Sequence, residues 1–147
     1  DTINEVTNDL QNQIQNNRIT VQNHVEEAVE IEGNHTLLYS IFQNLIDNAI
    51  NYAGEGITIS IDKYAEDNEF YYFSLYDTGR GVDEAHLERI FDRFYRINEG
   101  RSRKNGGSGL GLSIVKNAVL FHKGQISAKN RKSGGLEFVF SLRKRLF

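Results

Sequence analysis

The 147-residue chain contains no cysteine and no proline. Without cysteine there can be no disulfide and no thiolate metal site, which fits a reducing compartment. Any run of about 18 apolar residues, the length a spanning helix needs, is also missing, so no segment is expected to cross a membrane or rest in one. Nor is there a surplus of cations: 17 Lys and Arg stand against 20 Asp and Glu, for a net charge of -3. That balance argues against general affinity for nucleic acid. No signal peptide is visible and the first residue is Asp, so the chain is expected to be a piece of something longer.

What is present suffices for one domain. Hydrophobic residues make up 39%, including seven Tyr and nine Phe, enough for a core. Ile3, Val6, Leu10 and Ile14 recur every three or four positions, the stripe of a helix over 1–17. Alternation at Ile19, Val21 and Asn23 predicts a short strand over 18–24, and 25–32 is expected to form a second strand ending at Gly33. Asn34 can cap the helix that follows. Leu37, Leu38, Ile41, Phe42, Leu45, Ile46, Ala49, Ile50 and Ala53 form its apolar face. Asn44, Asp47, Asn48 and Asn51 fall at i, i+3, i+4 and i+7 and share the other face. Gly54 and Gly56 end it.

Ile57, Ile59 and Ile61 then alternate with polar residues, and Phe70 to Tyr76 is aromatic. Joined by Glu66-Asp67-Asn68, the two runs predict a hairpin. Helical fragments are expected over 83–94, and a mobile, polar stretch over 98–109. A helix over 110–122 should turn Leu112, Val115, Val119 and Leu120 inward. A strand from Gly124 to Lys129, a turn at Gly134-Gly135 and a last strand from Leu136 to Leu142 close the chain. This order predicts an α+β fold, a two-layer α/β sandwich whose mixed, mostly antiparallel sheet is covered on one face by helices.

Three constellations carry chemistry. Asn is a poor helix former, yet Asn44, Asn48 and Asn51 crowd one helix. An amide oxygen is a neutral hard ligand suited to Mg²⁺, while the bland alternative is a solvated helix face. Asp77 ends an aromatic strand, where a carboxylate can accept a hydrogen bond from the exocyclic amine of adenine. Gly79 and Gly81 would let the backbone turn close to the base; an ordinary Asp-Gly turn is the alternative. Gly107 to Gly111 opens a helix whose backbone N–H groups make an anion site, or else a flexible cap. Between the last two lie Arg93, Arg96, Arg101, Arg103 and Lys104, cations that could clamp a triphosphate, with Phe91 and Phe94 expected to anchor the segment to the core.

In order and spacing these pieces resemble the catalytic, ATP-binding domain of bacterial sensor histidine kinases. Its superfamily includes gyrase-type topoisomerases, the ninety-kilodalton heat-shock chaperones and the mismatch-repair ATPases. The run from Gln43 to Tyr52 looks like the family's asparagine box, Asp77 to Gly81 its first glycine box, Ile90 to Arg96 its phenylalanine box and Gly107 to Lys116 its second glycine box. Gly134 to Phe138 fits the final strand. The resemblance covers about residues 20 to 142. It implies a sandwich that binds ATP and Mg²⁺ under a mobile lid. Asn48 would ligate Mg²⁺, Asn44 would touch the phosphates, Asp77 would read the adenine amine and Tyr52 would pack by the base. Gly79 and Gly81 would shape the adenine pocket. Gly107, Gly109, Leu110 and Gly111 would meet the phosphates, with Arg96 near them from the lid. Two departures stand out. Asn51 replaces a frequent Lys or Arg, a loss that a lid cation such as Arg93 or Arg101 would have to offset. Leu142 is followed by Arg143 rather than Pro.

The ATPase branches place a general-base Glu where this chain has Asn44. An amide has no useful basicity, so the resemblance implies transfer to an acceptor other than water. In the family that acceptor is a His followed by an acid and a Pro. None of His24, His35, His86 and His122 has that context, and the chain has no Pro. The expected partners are therefore a separate dimerisation and histidine-acceptor domain, led into by residues 1–17, and a response regulator downstream. Residues 18–147 would be the catalytic domain, cytoplasmic within a membrane-anchored parent. The competing readings are a degenerate nucleotide-binding interaction module and a serine-directed, anti-sigma-type kinase.

Overall fold

The computed structural model describes residues 2–95 and 110–146. The helical stripe at the start forms α1 (Thr2–Asp9) and α2 (Gln11–Asn16). They run on from each other, with Leu10 N–H donating to Val6 O and Ile14 N–H to Leu10 O, both at 3.0 Å. Ile3, Val6, Leu10 and Ile14 are all buried, so this helix is part of the core. A short strand follows, β1 (Thr20–Asn23).

The predicted strand over 25–32 does not form. Its backbone makes one isolated bridge, Glu32 with Arg145, and a local turn in which Val29 N–H donates to Glu26 O at 3.1 Å. Apolar residues at 25, 29 and 31 suit a strand, but no neighbouring strand is there to pair with them. They serve instead as a loop whose Val25, Val29 and Ile31 pack on the core.

The asparagine helix is α3 (His35–Tyr52), capped as expected by Asn34, whose side chain accepts the Leu37 N–H. Its apolar face buries Leu38, Ile41, Phe42, Leu45, Ile46, Ala49 and Ile50. Beyond it come the hairpin strands β2 (Thr58–Glu66) and β3 (Phe70–Asp77) and a single helical turn, α4 (Glu84–Leu87). The chain ends with α5 (Gly111–Phe121), β4 (Ile126–Asn130) and β5 (Leu136–Arg143). The sheet order is β1-β2-β3-β5-β4. Among the strand pairs of the described residues, β1–β2 is parallel and the others are antiparallel. Along β5 burial alternates residue by residue, so Leu136, Phe138, Phe140 and Leu142 face the helices. Phe73 and Phe140 stack at 5.4 Å between ring centroids, and Phe42 of α3 meets both edge-on at 6.3 and 6.0 Å.

Helix α5 lies against α3. Ser113, Val115, Ala118 and Val119 are its buried residues. Leu120, predicted to point inward, is 52% exposed, because the helix turns a narrower face to α3 than its hydrophobicity suggests. His122 ends α5 fully buried. Its Nδ1 donates to the Ala118 carbonyl at 2.8 Å, and its Nε2 accepts the Asn34 N–H at 3.1 Å. This ring ties the end of α5 to the start of α3. Phe91 is buried and meets Phe138 edge-on at 6.0 Å. Phe94 is 63% exposed, so one of the two predicted aromatic anchors engages the core. Among the described residues, no helix is long and apolar enough to cross a membrane.

Candidate nucleotide site

Helix α3 is the spine of the site. Asn44, Asn48 and Tyr52 stand at i, i+4 and i+8 along it, all half-buried. Near Asn44, the start of α5 closes in: a Cβ on Gly111 would lie 3.0 Å from the Asn44 Oδ1. Near Tyr52, the loop after β3 closes in: a Cβ on Gly79 would lie 2.5 Å from the Ala53 carbonyl. These two contacts are nine residues apart on α3, about 13 Å along its axis. Asn48 lies between them.

The Asn44 amide is oriented by its own helix. Its Nδ2 donates to the Ser40 carbonyl at 2.8 Å, which leaves Oδ1 toward Gly111. Position Leu110 caps α5 without a side-chain hydrogen bond, since leucine has no acceptor to offer the first N–H groups of the helix. Those groups and the dipole of α5 suit an anion. Asp47, beside Asn48, has its carboxyl pushed up by burial and accepts from Asn51 Nδ2 at 3.4 Å. Arg93, named as a substitute for a cation at Asn51, has its guanidinium over the Phe94 ring at 5.4 Å.

At the other end, Asp77 is 5% exposed. Its Oδ1 accepts the Gly79 N–H at 2.8 Å and the Leu136 N–H at 3.4 Å. Burial pushes its carboxyl up, and these two N–H groups together with the Arg131 charge pull it back in part. With Oδ1 held by backbone, Oδ2 is the atom available to accept from a ligand. Thr78 closes the strand pair behind it: Thr78 N–H donates to Thr58 O at 3.1 Å, and Thr58 N–H to Thr78 Oγ1 at 2.9 Å.

The loop over 77–82 has a second wall that the sequence motifs did not reveal. A Cβ on Gly135 would sit 1.9 Å from the Asp77 carbonyl, so the β4–β5 turn packs directly on this loop. Arg131 of that turn lies over the Tyr76 ring at 4.0 Å. The adjacent Gly134-Gly135 pair was the available signal, since paired glycines mark a close backbone approach. The structure thus brings Gly111, which follows Leu110, to Asn44, and Gly79, bound to Asp77, to Ala53 after Tyr52, with Gly81 further along the same loop against Asn130. Arg96, Gly107, Gly109 and the proposed lid at 98–109 lie outside the described residues. A separate cavity of about 640 Å³ lies between α1, the 25–32 loop and the first turns of α3 and shares none of these residues.

Residues 33–146 match the family model described as histidine kinase-, DNA gyrase B-, and HSP90-like ATPase. The chain belongs to this ATPase family. Its sequence is 37% identical over 124 residues to the sensor histidine kinase WalK of Bacillus subtilis, covering 83% of this chain and 20% of WalK. It is also 37% identical over 123 residues to the phosphate regulon sensor protein PhoR of Pseudomonas aeruginosa, covering 84% of this chain and 27% of PhoR. It thus spans between a fifth and a third of the length of these relatives. The nucleotide-free catalytic domain of histidine kinase ThkA superposes with a TM-score of 0.82 at 27% identity, covering 99% of this chain and 91% of that one. ThkA has also been solved with its response regulator protein TrrA; that ThkA matches with a TM-score of 0.77 at 26% identity, over 97% of this chain and 39% of the other. The chain is therefore an ATP-binding domain of the sensor histidine kinase type, with the α+β sandwich expected from its sequence.

Proposed function

We propose that this domain binds Mg-ATP and donates the γ-phosphate to a histidine on a separate dimerisation hairpin, as the catalytic half of a two-component sensor kinase. The observation that carries this reading is the pair of contacts on α3. Gly79 and Asp77 stand at one end, Gly111 and Asn44 at the other, and Asn48 lies between, an arrangement that suits adenine, phosphates and a bridging ion in that order. Asp77 Oδ2 accepts from the adenine amine, and Tyr52 packs by the base. Gly79 and Gly81 shape the pocket. The first N–H groups of α5, with Gly107, Gly109, Leu110 and Gly111, hold the phosphates, and Arg96 joins them.

Mg²⁺ favours oxygen ligands, keeps several waters and binds through one or two protein groups plus phosphates. The half-buried amide oxygen of Asn48 fits that role, and among the described residues no cluster of three or more His, Cys, Asp or Glu offers a competing cage. When bound, the ion supplies charge neutralisation for the phosphates. Asn44 orients the phosphate end without acting as a base on water.

Residues 1–17, whose apolar stripe packs into the core of the domain formed by 18–147, lead in from the hairpin domain. Ile114 and Phe121, seven apart on α5 and 42% and 49% exposed, offer that hairpin an apolar stripe that starts near the phosphate end at Ile114 and runs to the far end of the helix. A response regulator takes the phosphoryl group downstream. The domain is cytoplasmic, within a membrane-anchored parent.

The test is titration of the chain with ATP, with and without Mg²⁺, alongside Asn48→Ala and Asp77→Ala. Tight, Mg-dependent binding lost in both variants is the expected result. No binding by the parent chain would favour the docking-module reading. Phosphoryl transfer to an added hairpin domain, recovered on histidine rather than serine, completes the test.

A further inference from the structure

Asn130, the last residue of β4, grips the backbone of Val82 with both ends of its amide. Nδ2 donates to the Val82 carbonyl at 2.6 Å, and Oδ1 accepts the Val82 N–H at 2.9 Å. Val82 follows Gly81, whose φ of +72° is left-handed. A Cβ on Gly81 would come within 2.5 Å of the same Asn130 Oδ1. Gly81 must therefore be bare and left-handed for Val82 to offer both its groups to one side chain. The next residue, Arg131, holds an earlier part of the same loop, with Nη1 3.5 Å from the Asp77 carbonyl. The loop that carries Asp77, Gly79 and Gly81 is thus pinned at its near end by β2 and at its far end by Asn130, from an element remote in sequence.

We infer that Asn130 is a positioning residue for the adenine end of the site, setting the height at which Asp77 and Gly79 meet the base. The inference rests on the nucleotide reading above. A fork with one donor and one acceptor is needed to satisfy a carbonyl and an N–H of the same residue, and a side-chain amide has that chemistry. A carboxylate at 130 keeps the acceptor and the shape but loses the donor, and it sets a negative charge against the Val82 carbonyl.

The experiment compares Mg-ATP with Mg-tripolyphosphate, which has the phosphates but no base, on the full chain and on Asn130→Ala and Asn130→Asp. In Asn130→Ala the Kd for ATP should rise about tenfold while that for tripolyphosphate stays within about twofold of the parent. Asn130→Asp should weaken ATP several-fold at an unchanged melting temperature, and it carries the comparison if the alanine variant does not fold. An ATP affinity within about twofold of the parent in a folded variant overturns the role, as does an equal loss for both ligands, which would mean general loosening. A parent chain that binds ATP no better than tripolyphosphate overturns the nucleotide reading itself, and Asn130's role falls with it. That outcome is told apart because the parent, not the variant, fails.

Discussion

Asp77 is a carboxylate set where ionisation is costly. Burial raises its pKa from the ordinary carboxylate value, so ionising it costs the folded chain more than the unfolded one. Such a group adds stability at low pH, and that stability is lost as pH rises through its folded-state pKa. The chain should therefore lose some stability as pH climbs through the upper carboxylate range, whereas Asp77→Asn, which keeps an acceptor for the Gly79 and Leu136 N–H groups, should not. Melting temperatures across pH test this: above that range the variant should match or exceed the parent. The same variant should lose ATP affinity by about tenfold or more, because a charge-assisted acceptor opposite the adenine amine is replaced by an amide. A variant that binds ATP as the parent does would remove Asp77 from the base-reading role. Asp77, Asn44 and Asn48 could be picked out from sequence because each belongs to a short local pattern. Asn130 and Arg131 could not, because nothing near residue 130 announces a contact with residue 82 or 77. Such contacts are written only in the pairing of β4 with β5.

At the level of elements, much was readable: α3 from its apolar face and its Asn34 cap, β5 from the Gly134-Gly135 turn before it, and the β2–β3 hairpin from its turn. In that turn Asp67 Oδ1 accepts the Glu69 and Phe70 N–H groups at 2.8 and 2.7 Å, and its Oδ2 accepts the Tyr72 hydroxyl at 2.8 Å. The 25–32 segment misled because β-favouring residues say nothing about whether a neighbouring strand exists. Leu120 misled because the width of a buried helix face is set by its partner. Helix α5 supports two expectations. His122→Leu removes both backbone hydrogen bonds of a fully buried ring, the one to Ala118 and the one from the part-buried Asn34 N–H, and should cost about 1–2 kcal/mol, read as a fall in denaturant midpoint with little change in nucleotide affinity at temperatures where the variant is folded. Ile114→Glu puts a charge on the exposed stripe and should lower transfer to the hairpin domain several-fold while leaving the Kd for ATP unchanged. An equal effect on both would place Ile114 in the pocket rather than at the docking face.

For the whole molecule, the expectation concerns what the chain does alone. Its histidines are otherwise occupied: His24 pairs with Asp62 at 2.7 Å, His35 with Glu5 at 3.5 Å, His86 with the Tyr95 hydroxyl, and His122 with backbone at both nitrogens. His35 starts α3, about 20 Å of helix away from Asn48. Incubated with Mg-ATP, the chain should bind nucleotide and acquire no phosphohistidine, which acid-labile labelling or intact-mass measurement would check; stoichiometric labelling would contradict the division into donor and acceptor domains. The ring of His122 has one more consequence. Helices α3 and α5 meet at two rungs, a hydrogen bond between Asn34 and His122 at one end and the close approach of Gly111 to Asn44 at the other. The rungs are separated by about 15 Å on α3 and about 16 Å on α5. Rungs so matched tie the register of α5 on α3 to its length, so the number of residues in α5 is itself a parameter of the phosphate end. One residue inserted within it would rotate one end by about 100° relative to the other. Either Gly111 would then turn from Asn44, or His122 from Asn34.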